Sequence, residues 1–208
     1  MSLYGRIFAG LYDTMMESVE DAGLRDRRRA LLARVDGRVL ELGAGTGHNL
    51  PLYPEGGVTE LVLTEPEEPM ARRLEERAAS LSPKPRVVRA PAEDLPFDDA
   101  SFDTVVSTLV LCTVDDQPAA LREARRVLRP GGRLLFIEHV RSDDPARAKW
   151  QDRLHGPWKA LGHGCNCNRA TAPAIESAGF QMVDLEHGTL PKSPPIVRPL
   201  VMGIAVAA

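Results

Sequence analysis

Residues 38–47 read Arg-Val-Leu-Glu-Leu-Gly-Ala-Gly-Thr-Gly. A short apolar strand runs straight into a glycine-rich turn, and that order decides the fold class. The glycines permit a tight bend and let a ligand approach bare backbone. The N–H groups beyond such a turn favour an anion. Glycine turns also serve as plain connectors, so the neighbouring residues must decide the use. A G-x-G-x-x-G dinucleotide fingerprint would need Gly or Ala where His48 stands, so the nicotinamide pattern is imperfect. Glu41 closes the strand beside the turn. A carboxylate there repels a pyrophosphate but suits a ligand carrying ammonium and sulfonium charge. S-adenosylmethionine (SAM) is such a ligand.

Working outward, strand-like and helix-like stretches alternate, as in an α/β fold with a mainly parallel sheet. Upstream, residues 17–35 read as a helix with Leu24, Leu31, Leu32 and Val35 on one stripe. Arg25, Arg27, Arg28 and Arg29 around it read as a solvated face. Downstream, strands are expected at 59–64, 86–89, 102–112 and 133–140. Helices are expected at 67–80 and at 115–128, the latter capped by Asp115 or Asp116. Pro130-Gly131-Gly132 should stop that helix and turn the chain. Beyond Val140 come a helical stretch over 143–162, a Gly-, Cys- and Asn-rich loop over 162–168, and a helix over 171–178. Two last strands follow at 180–187 and 198–207.

Glu65 ends the second strand, 22 residues after Gly43. An acid about 20 residues on is where a ribose diol finds its acceptor. The plain alternative is a helix N-terminal acid, with Glu67 and Glu68 as companions. Met70 is placed either against an adenine or in the helix core.

Composition narrows the function. The 208 residues are 43% hydrophobic and 26% charged, which excludes a disordered chain. A net charge of -3 with 5% aromatics disfavours nucleic acid as the main partner. No stretch approaches the ~18 apolar residues of a membrane span. The first thirteen residues read as neither signal peptide nor anchor. Three cysteines point to a reducing cytoplasm rather than a disulfide framework.

Glu41-Leu-Gly-Ala-Gly-Thr-Gly, Glu65, Ala92-Glu93-Asp94-Leu95-Pro96-Phe97, Ser101-Phe102-Asp103 and Arg126-Val-Leu-Arg-Pro-Gly-Gly132 stand in that order. Together they resemble the class I SAM-dependent methyltransferases of the UbiE-like type, over residues 38–140. The resemblance implies a Rossmann-like seven-stranded mixed sheet with its last strand antiparallel, helices on both faces and a small helical lid or insert. One domain is expected over 1–208: a lid at 1–36, a SAM-binding core at 37–140, and a substrate-side insert with C-terminal strands at 141–208.

The resemblance also implies site roles. Glu41 holds the SAM amino group or the nearby loop, with Asn49 beside it. Gly43, Ala44 and Gly45 pass under the methionine part. Glu65 and Pro66 take the ribose, and Met70, Ala92 and Glu93 flank the adenine. Thr108 and Leu109 line the reacting sulfur. Pro91 stands where many members carry an adenine-binding Asp. Tyr12 and Asp13, with Met15 and Met16, form a lid.

Ser107-Thr-Leu-Val-Leu-Cys-Thr-Val114, Glu138-His139-Val140, Trp158-Lys159 and Gly162-His-Gly-Cys165 are narrower signals. They are similar to the microsomal alkyl-thiol S-methyltransferases of animals, without their hydrophobic N-terminal anchor, as in a soluble bacterial-type relative. A thiol acceptor is then expected. The rivals are a quinone or lipid acceptor methylated on carbon or nitrogen, a SAM-binding module without turnover, and a dinucleotide oxidoreductase.

A thiol needs little activation, whereas carbon or nitrogen acceptors need a placed base. The best-placed base is His139, at the carboxyl end of the fifth strand. Its alternative is a histidine held in structural hydrogen bonds. Met16, His139, Trp158 and Cys165 are the expected acceptor contacts. Trp150, Leu154 and Leu161 extend that apolar wall or pack as core. His163, Cys165 and Cys167 lack zinc-knuckle spacing, so no metal is expected. Disulfide pairing of Cys165 with Cys167 would strain so short a loop.

Overall fold

The protein is described here from a computed structural model covering residues 13–14 and 16–207. Tyr12 and Met15, two of the expected lid residues, lie outside the described residues. Seven strands form one sheet: β1 (Gly37–Leu42), β2 (Val58–Thr64), β3 (Arg86–Val88), β4 (Phe102–Thr108), β5 (Leu128–His139), β6 (Phe180–Thr189) and β7 (Pro199–Ala207). The order is β3-β2-β1-β4-β5-β7-β6. Neighbours from β3 through β5 run parallel, while β7 runs antiparallel to both β5 and β6. This is the doubly wound mixed sheet expected from the sequence. The strand order reverses between β1 and β4, so the crevice at their carboxyl ends is where a ligand fits.

Among the described residues, five bounded α-helices accompany the sheet: α1 (Arg25–Leu32), α2 (Glu68–Ala78), α3 (Gln117–Val127), α4 (Pro145–Leu161) and α5 (Thr171–Ser177). A wider turn at Glu20–Leu24 leads into α1. The α3 helix shows why these sequences coil as they do. The Asp116 carboxylate accepts from the Ala119 N–H at 2.9 Å, capping an orphan donor. Gln117, Ala120, Leu121, Ala124 and Val127 then fall on one buried stripe. Central strands β4 and β5 are buried on both faces, as their continuous apolar runs require. One core layer gathers Leu40, Phe102, Leu121, Phe136 and Val201; the opposite face gathers Leu24, Leu32, Val39, Val106 and Ile137.

Three expectations are corrected. Pro130-Gly131-Gly132 does not stop α3, which already ends at Val127. Those residues lie inside β5, where the pairing jumps from Phe102↔Leu128 to Thr104↔Arg133. The extra residues are accommodated as a bulge, with Gly131 at φ +76°. The strand read as 102–112 ends at Thr108, because Leu109 adopts φ +63° and turns the chain. The arginines of α1 do not share one solvated face. Arg25 and Arg29 are exposed, but Arg28 is buried at 2% exposure.

Candidate active site

The glycine turn leaves β1 with Gly43 at φ +50° and Gly45 at φ +59°, a region in which side chains are strained. A Cβ on Gly43 would sit 2.8 Å from a Val110 methyl, so glycine is needed there for space as well. The turn is tied to β2 by the Ala44 N–H, which donates to the Thr64 carbonyl at 2.8 Å. Glu65 continues that tie. Its carboxylate accepts from the Gly45 N–H and the Glu67 N–H, both at 2.9 Å. Burial pushes the Glu65 pKa up, and the two backbone donors oppose it.

Beneath the turn runs a buried polar chain. Arg28 donates to Glu20 at 3.0 Å, to Asn49 at 3.0 Å and to Thr108 at 2.6 Å. Asn49 donates to Glu41 and to Thr108, both at 2.9 Å, and the Tyr53 hydroxyl donates to Glu41 at 2.7 Å. Burial pushes Glu41 up to about 7, against the bonds from Tyr53 and Asn49 and the charge of Arg28. The sequence reading missed Arg28 by treating the arginines as one run. The signal was present: Arg28 is four residues after Leu24 and three and four before Leu31 and Leu32, on the apolar stripe itself.

Asp13 clasps the outer side of the turn. Its carboxylate accepts from Thr46 at 2.5 Å and from Arg77 at 2.6 Å. Burial raises its pKa, but Thr46, Arg77 and His48 together hold it below the usual carboxylate value.

In front of the turn opens a cavity of about 470 Å³. Gly43, Gly45, Glu65, Pro66, Met70, Ala92 and Glu93 line it toward β1 and β2, and Pro91 joins them. Met16, Leu109, His139, Trp158 and Cys165 line the remainder. Ala44, Glu41, Asn49 and Thr108 lie outside this lining; the last three belong to the polar chain below. Glu93 also accepts from the Asp115 N–H at 2.8 Å, which fixes the loop after β4. Val110, Cys112, Thr113, Val114, His163 and Val197 line the cavity as well and were not singled out as contacts. Trp150, Leu154 and Leu161 do not reach it; they lie exposed on the outer face of α4.

Glu138 shapes the acceptor end without touching the cavity. Its buried carboxylate accepts from Ser107 Oγ at 2.7 Å and from the Val110, Leu111 and Cys112 N–H groups at 3.1 Å. That cradle fixes the turn forced by Leu109. His139 is buried, and burial pushes its pKa down to about 4, with the nearby Val197 backbone opposing the shift. Its Nδ1 is enclosed and has no hydrogen-bond partner among the described residues. The imidazole is neutral at physiological pH and is a weak base. Among the described residues no His, Cys, Asp and Glu cluster suited to a metal ion occurs, and no helix is long and apolar enough to cross a membrane.

The residues present fit SAM. The glycine turn offers bare backbone, buried Glu41 and Glu65 offer negative charge, and Pro66, Met70 and Ala92 offer apolar surface. Comparison with known proteins agrees. The family model described as a methyltransferase domain matches residues 40–136. Human thiol S-methyltransferase TMT1A is 39% identical over 171 residues, which cover 81% of this chain and 70% of that one. Human thiol S-methyltransferase TMT1B is 36% identical, covering 88% of this chain and 79% of that one. Among solved structures, a SAM-dependent methyltransferase from Thermotoga maritima superposes with a TM-score of 0.73. Its identity is 22%, covering 98% of this chain and 97% of that one.

Proposed function

We propose, from the premise that this chain belongs to the class I SAM-dependent methyltransferase family that includes the thiol S-methyltransferases, that it methylates the sulfur of a small-molecule thiol. SAM, when bound, supplies a methyl group on a sulfonium, and that group leaves to an in-line nucleophile. The chain's own residues bind, orient and exclude water. In this reading Gly43 and Gly45 lie under the methionine part, and Glu65 with Pro66 takes the ribose. Met70, Ala92 and Glu93 enclose the adenine. Glu41 acts from below through Asn49, holding the turn and supplying the charge that an ammonium group needs. Tyr12 is kept as a lid residue, and Met16, Trp158 and Cys165 as acceptor contacts.

The observation that carries the acceptor assignment is the state of His139 among apolar neighbours. An amine or carbon acceptor must lose a proton to a placed base. His139, with its pKa near 4 and its Nδ1 enclosed, is poorly suited to take one. A thiol carries its own reactivity, because a few per cent is thiolate near neutral pH. Leu109, Val110, Trp158 and Val197 offer such a sulfur an apolar seat. Proximity and orientation then supply most of the rate. Three buried free thiols support a reducing, cytoplasmic setting.

The test is S-adenosylhomocysteine formation with alkyl and aromatic thiols beside matched alcohols, amines and a quinol. Turnover confined to thiols is expected. Turnover on the amine or quinol would overturn the acceptor assignment. SAM binding without product from any acceptor would mark a binding module instead.

A further inference from the structure

Two of the three cysteines meet in the acceptor cavity, although the sequence separates them by the whole of α3, β5 and α4. Cys112 follows the turn cradled by Glu138, and Cys165 sits in the loop after α4. The two segments are strapped together. The Asn166 N–H and its side-chain amide both donate to the Cys112 carbonyl, at 2.7 and 3.2 Å. Arg169 reaches across to the Leu111 carbonyl at 2.6 Å. The Cys112 and Cys165 side chains pack in one buried cluster with Val197 and Trp158, and both line the cavity. The indole N–H of Trp158 lies beside Cys165 and has no full hydrogen bond elsewhere among the described residues. Cys167, only two residues on, packs in the same buried cluster, but its thiol points to the Gln151 carbonyl at 3.8 Å and does not line the cavity.

We infer that Cys112 and Cys165 form a reactive dithiol that accepts the disulfide form of acceptor thiols and releases the reduced thiol inside the cavity. This inference rests on the thiol reading of the acceptor end. The Cys165 thiolate attacks one sulfur of R–S–S–R′, forming a Cys165–S–S–R bond and expelling R′–S⁻. Cys112 then attacks the Cys165 sulfur, its proton passing to R′–S⁻, and R–S⁻ leaves. The substrate disulfide gains two electrons and the protein dithiol loses two. A low-molecular-weight thiol from solution restores the dithiol by the same exchange.

The two cysteines differ in the way this sequence requires. The neighbouring Cys112 side chain holds the Cys165 thiol below the usual range, against its burial and the charge of Glu138. Attack is carried by thiolate, and Cys165, the more exposed of the two at 6% against 1%, is the attacking sulfur. Cys165 and burial push the Cys112 thiol up. Packed in the same cluster, Cys112 is the sulfur placed to resolve a mixed disulfide on Cys165. Cys167, pushed up to about 11 by burial, stays a thiol throughout.

The experiment needs no SAM, so it fails or succeeds apart from the methylation assay. The reduced full chain is treated with dibutyl disulfide, quenched in acid and mapped by peptide mass spectrometry. The wild type should lose the mass of two hydrogens, carry a Cys112–Cys165 linkage and release two equivalents of butanethiol. Cys112→Ser should stop at a butyl mixed disulfide on Cys165, and Cys165→Ser should lose both products. SAM binding and thermal unfolding report whether each variant is folded. The wild-type map alone decides if a variant does not fold. A lasting adduct on Cys165 in the wild type, an adduct on Cys167, or no reaction would overturn the inference.

Discussion

The two ends of the cavity are built from different materials. The end toward β1 and β2 is backbone and buried charge: two glycines in the left-handed region, the Glu65 clamp, and a network in which Arg28 joins Glu20, Thr108 and Asn49, and Asn49 and Tyr53 hold Glu41. The acceptor end mixes apolar surface with few polar groups: Leu109, Val110, Trp158 and Val197, two thiols, Thr113, Asp115, His163 and the buried, neutral His139. A cofactor common to a whole family can be held by main chain and fixed carboxylates. An acceptor that brings its own reactive sulfur needs only a seat. The difference shows where rigidity is concentrated: charge pairing braces the first end, and packing shapes the second.

The largest effect should come from cutting that brace. Arg28→Met leaves Glu20 buried at 3% exposure without its partner. Breaking a buried pair from one side costs about 3–5 kcal/mol. Arg25→Met, which cuts a half-exposed pair with Asp21, should cost less than about 0.5 kcal/mol. Urea unfolding of both variants measures the contrast. Equal losses would mean that the buried chain is not a brace.

Next in size is an opposition between the two ends in pH. Glu41 is raised to about 7 in the folded state from 4.5. Between those values the folded protein holds a proton that the unfolded chain has released, so this group makes stability fall as pH rises. His139 is lowered to about 4 from 6.5. Between those values the unfolded chain holds the extra proton, so this group makes stability rise with pH. Each contribution integrates to roughly 3 kcal/mol, with opposite sign and overlapping windows. Glu41→Gln should therefore add an upward slope between pH 4.5 and 7, and His139→Leu a downward one between pH 4 and 6.5. Denaturant midpoints across pH 4–7 check the signs, and a shared slope change would sink the opposition.

The same contrast explains what could be read beforehand. The cofactor end is written nearly contiguously: Glu41 to Gly47 is one turn, and Glu65 closes the next strand. Local backbone demand made the glycines legible, and alternating elements made the sheet order legible. The acceptor end is assembled from residues near 16, 109–115, 139, 158–165 and 197, brought together by β5, α4 and the return strands. No local rule joins Cys112 to Cys165. Arg28 was hidden differently, because a composition run outweighed its position on the stripe. Trp150, Leu154 and Leu161, expected as acceptor wall or core, are neither: they share a helical stripe with Trp158, but only Trp158 reaches the cavity and the other three lie exposed.

Where the two ends touch, smaller effects should separate two glycines of the same turn. Alanine at Gly43 or Gly45 must adopt the left-handed region, at about 1–2 kcal/mol each. At Gly45 the new Cβ meets only the Met70 sulfur, at 3.9 Å. At Gly43 it meets Val110 at 2.8 Å and must displace an acceptor-end side chain. Gly43→Ala should thus unfold earlier than Gly45→Ala and also raise the KM for thiols. Identical thermal curves for the pair would uncouple the two ends.

The smallest effect should be the most telling. If His139 were the base of the reaction, His139→Ala would lower kcat by about 10²–10⁴-fold. Its neutral ring and enclosed Nδ1 give it packing duty at the end of β5 instead. With a thiol acceptor, kcat should fall less than about tenfold, since the few per cent of thiolate in solution needs no protein base. The pH–rate profile should keep its shape, because the ionisation that governs it belongs to the acceptor. Rate should climb with pH toward the thiol pKa, and shift with it when a more acidic aromatic thiol replaces an alkyl one. A loss beyond about a hundredfold, with a profile that no longer follows the acceptor, would return a proton-transfer role to His139. It would also erase the distinction drawn between a braced cofactor end and an acceptor end that only seats its sulfur.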